Sequence, residues 1–169
     1  MTMFRIDGSA ARIRQALSAI ADIGRRPGPV LAAIAVGLED NVHDRFRNEE
    51  DPRGIKWDTY APLNPVYAMT KEGEGILRGP NMFLFNSIRS GADGNTAWVG
   101  SDLKYAGVHQ FGAIIQPRNK RHLSFEMGGK LWHLDSVEIP ARPYLGFSAK
   151  DRDMVTGELE DFLARAMRA

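Results

Sequence analysis

Leu123-Ser-Phe-Glu-Met127 and Lys130-Leu-Trp-His-Leu134 flank the dipeptide Gly128-Gly129. A two-residue connection between alternating runs needs positive φ at its central positions, which glycine supplies, so this stretch predicts an antiparallel hairpin. In that register Phe125 faces Trp132 and Leu123 faces Leu134, both pairs on one face. Further β-structure is predicted upstream. A Gly91-Ala92-Asp93-Gly94 turn precedes a strand over Asn95 to Gly100, and Ala113 to Gln116 is a short apolar run.

Both ends of the chain read as helix. Ser9 can cap a first helix carrying Ile13, Leu17, Ile20 and Ile23 at helical spacing. Gly24 and Arg26-Pro27-Gly28-Pro29 end it, and Pro29 suits the first turn of a second helix. That helix has an apolar stripe of Leu31, Ile34, Leu38, Val42 and Phe46. Its charges Glu39, Asp40, Asp44, Arg45 and Arg47 read as a solvated face. Two helices joined by such a turn predict a helical hairpin. At the far end, Ser148 and Asp151 form a capping box before Val155, Leu159, Phe162, Leu163 and Ala166.

Between the helices, 48–65 is rich in turn residues, and Trp57 within it reads as an anchor that packs the loop onto the body. The stretch from Val66 to Leu77 is ambiguous, with a short helix as one reading. Met82 to Ile88 fits a helical turn or the start of a strand, and Asp102 to Phe111 a short helix with Asp102 near its cap. The predicted class is α+β in one domain. It comprises a helical hairpin over 1–50, a loop and β-rich core over 51–147 with a small, mostly antiparallel sheet and a protruding hairpin, and a C-terminal helix over 148–169 packed on that sheet.

Composition narrows the function. There is no cysteine, which excludes disulfide scaffolds, thiolate metal sites and cysteine nucleophiles. Net charge is +1, so no whole-molecule field favours nucleic acid or membrane. No apolar run approaches the length of a membrane span, and the first residues lack the pattern of a signal peptide. His43, His109, His122 and His133 carry no metal-ligand spacing. No nucleotide loop or nucleophile elbow is present. Glu49-Glu50-Asp51 and Asp151-Arg152-Asp153 are the acidic clusters, and acids in a helix's first turn stabilise it by charge alone. A small cell-wall hydrolase would need two carboxylates converging in a cleft. No cofactor and no catalytic residue is predicted.

The basic run Pro117-Arg118-Asn119-Lys120-Arg121-His122 is the candidate for phosphate contact. Phe125 and Trp132 could stack on bases, but the hairpin already uses them as a pair. The run therefore reads first as a solvated or subunit-contacting loop, and second as the DNA-binding element of an accessory protein. Tyr105 and His109, four apart, share one helical face. Pro140 and Pro143 hold an extended segment that cannot extend a ladder, which suits it to lie against another surface. Glycines 100, 112 and 146 read as turn or close-approach points.

Several pieces in order resemble one family. Gly54-Ile55-Lys56-Trp57, then Tyr60-Ala61-Pro62-Leu63, is similar to its Gly-x-x-Trp followed by Pro-Leu. Thr70-Lys71, Ile76-Leu77-x-Gly79, Met82 and Asn86-Ser87-Ile88 follow. Val99-Gly100-Ser101 leads to Tyr105-Ala106-x-x-His109-Gln110-x-Gly112, the most specific piece. Ile139-Pro140-Ala141-Arg142-Pro143-Tyr144-Leu145-Gly146 closes the pattern. From Asp51 to Phe147 the chain resembles the phage virion morphogenesis family, the tail-completion proteins of Mu-type phages. Gly79-Pro80-Asn81-Met82 departs from the family's direct run from Gly to Leu.

The resemblance implies a non-enzymatic structural protein at the head-proximal end of the tail or in the neck. It implies a homo-oligomeric ring, a hexamer, around a DNA-conducting axis. Implied partners are the tail tube, the neck and head-completion proteins, and non-specifically the DNA in the channel, with no membrane. The expected location is the virion, and the host cytoplasm during assembly. A ring requires two different patches of one chain to meet. The candidate assembly contacts are Tyr105, His109, Arg118, Lys120, Arg121, Arg142 and Tyr144.

Overall fold

The computed structural model describes residues 10–168, so the Ser9 cap lies outside the described residues. Helix α1 (Ala10–Arg25) is followed after Pro27 by α2 (Gly28–Asn48), with proline in its first turn. Short helices α3 (Trp57–Tyr60), α4 (Pro65–Thr70) and α5 (Phe83–Asn86) precede the strands β1 (Ile88–Asp93) and β2 (Thr96–Ser101). Helix α6 (Ala106–Phe111) and strands β3 (Ala113–Ile115), β4 (Leu123–Met127), β5 (Lys130–Leu134) and β6 (Val137–Ile139) lead to α7 (Ala149–Arg168). The class is α+β.

The β-structure is three separate antiparallel pairs, β1–β2, β3–β6 and β4–β5. The Gly128-Gly129 hairpin has the expected register, Phe125 opposite Trp132 and Leu123 opposite Leu134. Both glycines have positive φ, 65° and 70°, as such a turn demands. The upstream turn differs from expectation. Gly91, Ala92 and Asp93 belong to β1, and the reversal occurs at Gly94-Asn95. The Trp98 ring lies over Gly91, where a Cβ would meet Cζ2 at 2.7 Å, so the glycine makes room for a ring rather than a turn. Met82 to Ile88 is both things the sequence allowed, a helical turn and then a strand. Asp102 does not cap α6; Tyr105 occupies that position with no side-chain hydrogen bond.

Helix packing departs from the sequence expectation. α1 does not fold back along α2, and α7 does not lie on a sheet; α7 packs along α2 and against α1. Asn41 near the end of α2 bonds Asp151 at the start of α7, and Met154 sits against Gly37 one turn earlier, so the two helices run antiparallel. Ile13, Leu17 and Ile20, at helical spacing on α1, are 56%, 60% and 39% exposed. The core lies instead between α2, the β1–β2 pair and the central loops: Val42, Phe46, Trp57, Ile76, Leu84, Ile88, Ala106 and Tyr144. Phe46 is at its centre, edge-on to Trp57 and Phe85 and tilted against Tyr144. Among the described residues no helix is long and apolar enough to cross a membrane.

Candidate assembly site and the segment that frames it

The segment from Ile139 to Ser148 organises the molecule. The two prolines keep it extended and remove two N–H donors, so its carbonyls and remaining N–H groups must be met by side chains. The Trp57 indole N–H donates to Pro143 O at 3.1 Å. Gln110 closes on the same segment from the other side: Oε1 accepts from the N–H groups of Tyr144 and Leu145 at 3.0 and 2.9 Å, and Nε2 donates to Leu145 O at 2.9 Å. The Arg142 N–H donates to His109 O at 2.7 Å. Gly112 has φ +73°, and a Cβ there would meet Ala141 N at 2.9 Å and Ile139 O at 3.0 Å. Only glycine permits that approach without strain.

Arg142 and Tyr144, expected as assembly contacts, are inside. Arg142 is 6% exposed and Tyr144 is 1% exposed. The Arg142 guanidinium donates to Ala61 O at 2.7 Å and Pro62 O at 2.8 Å, and the Tyr144 hydroxyl donates to Ala106 O at 3.1 Å. Burial raises the Tyr144 pKa, so the phenol stays protonated and can donate. These side chains tie the segment to the 57–63 loop and to α6; they position a surface rather than form one. The extended arm lies against its own chain.

A buried ion pair fixes the far end of the segment. Arg45, read from sequence as part of a solvated face, is 5% exposed, and Asp151 is 0% exposed. The Arg45 guanidinium pairs with the Asp151 carboxylate and also donates to Tyr144 O at 3.1 Å and Gly146 O at 3.0 Å. Asp151 further accepts from Asn41 Nδ2 at 2.8 Å and from Ser148 N and Oγ, each at 2.7 Å, while its own N–H donates to Ser148 Oγ. The capping box expected at Ser148 and Asp151 is therefore formed, and it is wired to α2. Burial alone would raise the Asp151 pKa, but the Ser148 and Asn41 hydrogen bonds and the Arg45 charge outweigh it and hold the pKa below 3.8.

The other acidic cluster is likewise engaged in the fold. Asp51 is 2% exposed and its carboxylate accepts from Arg53 N and Ile55 N at 2.8 and 3.1 Å and pairs with the Arg53 guanidinium. Glu49 pairs with Arg78 at 3.0 Å. His122 bonds Asp135, and His133 bonds Ser124. Among the described residues no group of three or more His, Asp and Glu is placed to hold a metal ion.

Around α6 and the loop that follows it, several apolar and basic side chains face outward. Tyr105, 41% exposed, meets the half-buried His109 edge-to-face at 5.8 Å. Burial, and then the Arg142 charge, lower the His109 pKa below 6.5, and its Nδ1 is buried without a partner. Just beyond, Phe111 and Ile114 are 80% and 69% exposed. Arg118, Lys120 and Arg121 are exposed, and among the described residues none of them makes an ion pair. The sequence reading missed Phe111 and Ile114, because an apolar run flanking a glycine looks the same whether it is buried or not. Gln110 was quoted only as part of a motif, and nothing in one sequence shows that its amide clamps a backbone thirty-five residues away.

The contacts join the most specific pieces of the sequence pattern. Trp57, the run through Gln110 to Gly112, and the segment from Pro140 to Leu145 meet in one cluster. The family model for the phage virion morphogenesis family matches residues 9–164. The chain belongs to that family. It is also similar to the "Mu-like prophage FluMu G protein 2" of Haemophilus influenzae, with 26% identity over 154 residues and 91% of each chain covered. No solved structure matches the chain. A virion morphogenesis role follows for this protein, and Trp57, Gln110, Gly112 and the 139–146 segment build the internal clamp behind the α6–β3 surface.

Proposed function

We propose that this protein is a ring-forming structural component of the virion, completing the head-proximal end of the tail or the neck and allowing head and tail to join. The observation that carries the reading, beside the family match, is the amount of large apolar side chain left on the surface of one protomer. Ile13, Leu17, Phe111, Ile114 and Leu131 are each more than half exposed. Scattered exposed aliphatics are ordinary, but adjoining ones mark contact surfaces. A subunit whose neighbours cover those residues explains them, and it needs no residue to do chemistry. A hexamer is the closure the family resemblance implies.

In this reading Tyr105 and His109 lie at a subunit boundary, and Arg118, Lys120 and Arg121 meet a partner from an exposed loop. Rim charges of this kind govern encounter and register more than affinity. Because the three cations make no ion pair among the described residues, the DNA in the channel is a second partner for them. Duplex binding that falls steeply with salt would distinguish it from a protein contact.

The test is complementation of phage lacking the protein, scored by electron microscopy and infectivity. Without the protein, heads and tails should accumulate unjoined, or tails should have the wrong length. Wild type should restore joined particles. The variant with Arg118, Lys120 and Arg121 all replaced by Ser should fold normally, since exposed charges contribute little to stability, yet restore few particles. Normal, infectious particles in the absence of the protein would overturn the function. Full restoration by the triple variant would remove the loop from it.

A further inference from the structure

Two exposed apolar surfaces on this chain complement one another. The first is the outer stripe of α1. Ile13, Leu17 and Ile20 are spaced four and three apart, so they share one face. The helix packs on α7, and its half-buried positions include the smaller Ala16 and Ala19; the larger residues point away from that contact. A cation lies beside the stripe: Arg14, one residue after Ile13, is exposed.

The second surface is carried by α6 and β3. Phe111 and Ile114 stand on either side of the Gly112 turn, with Tyr105 at the other end of α6. Ile114 is paired with Glu138 across the β3–β6 ladder, and opposite residues of an antiparallel pair point to the same face. That face therefore carries the exposed Ile114 with the exposed Glu138 carboxylate beside it. The Gly112 approach and the Gln110 clamp hold it rigidly against the 139–146 segment. Rigidity of the receiving surface lowers the ordering cost of docking.

Resting on the ring reading above, we propose that the occupant of the α6–β3 face is α1 of a second copy of this chain, Leu17 and its neighbours covering Phe111 and Ile114 while Arg14 meets Glu138. Charge complementarity favours this pairing: Arg14 beside the stripe is exposed, the one acid of α1, Asp22, is already paired with Arg25 of its own helix at 3.2 Å, and the exposed Glu138 carboxylate on the β3–β6 face can receive the cation. The contact is heterologous, since two different patches meet, and repeated around an axis it closes a ring or continues as a filament. A self-matching contact between two α1 stripes would stop at a dimer.

The absence of cysteine from the chain makes the test clean. Virions are produced by complementation with Leu17→Cys, with Ile114→Cys, and with both together, and treated with a short bis-maleimide. Both positions are exposed, so the substitutions should leave the fold intact. The double variant should give a ladder of multimers beyond the dimer, and each single variant none. A dimer from Leu17→Cys alone would show α1 meeting α1 and overturn the proposal. Glutaraldehyde treatment of wild-type virions separates the two levels of argument. Multimers with glutaraldehyde but no ladder from the double variant would overturn the docking and leave the ring standing. Only monomers with glutaraldehyde would overturn the ring and the docking together. As a second variant, Leu17→Asp should unfold at the wild-type temperature but lose assembly, because a carboxylate is costly in an apolar contact. Unimpaired assembly by this variant would also overturn the proposal.

Discussion

Replacing Trp57 by alanine should lower stability by about 3–5 kcal/mol, the usual cost of removing a fully buried large aromatic. Trp57 is 0% exposed and edge-on to Phe46 in the middle of the core. The truncation leaves a cavity between α2 and the 57–63 loop, and it also leaves Pro143 O without its indole donor. Pro143 is half-buried, so water can replace that donor and packing dominates the cost. Denaturant unfolding should show a lower midpoint with an unchanged slope. A change within about 0.5 kcal/mol is what an ordinary surface position gives, and would mean that the loop is not anchored there.

Asp151→Asn should be nearly as damaging, about 3–5 kcal/mol, because it leaves the Arg45 charge buried without a counter-ion. The effect should depend on pH in a definite direction. The folded-state pKa of Asp151 lies below its ordinary value of 3.8, so the unfolded chain binds the proton more readily. The carboxylate's contribution is therefore fully present above about pH 4 and is lost as pH falls through the folded pKa. Wild type and Asp151→Asn should differ most near neutrality and converge in acid. Parallel stability curves down to the lowest measurable pH would contradict this account of the ion pair.

Those two residues also show what one sequence can and cannot convey. Trp57 was legible as an anchor because an isolated tryptophan in a proline-rich loop has few other uses, and Ser148 with Asp151 was legible because a capping box is local. The Gly128-Gly129 hairpin was legible for the same reason: turn, register and pairing lie within twelve residues. Arg45 was misread because helical periodicity places it beside Asp44 and Arg47, and its burial depends on a carboxylate 106 residues away. Arg142 and Tyr144 were expected at the surface because prolines exclude a segment from its own sheet; the structure satisfies that segment with side chains instead of a ladder. For α1 the periodicity correctly gave a helix with one apolar face, but periodicity does not say whether that face meets the same chain or another.

The central claim is tested most directly by electron cryo-microscopy of the complete particle, with the chain traced into density at the junction of head and tail. The expected result is a closed ring of copies at the head-proximal end of the tail tube or in the neck, each with its Phe111 and Ile114 covered by a neighbour. Finding the protein missing from finished particles, or present there as isolated single copies, would contradict the claim.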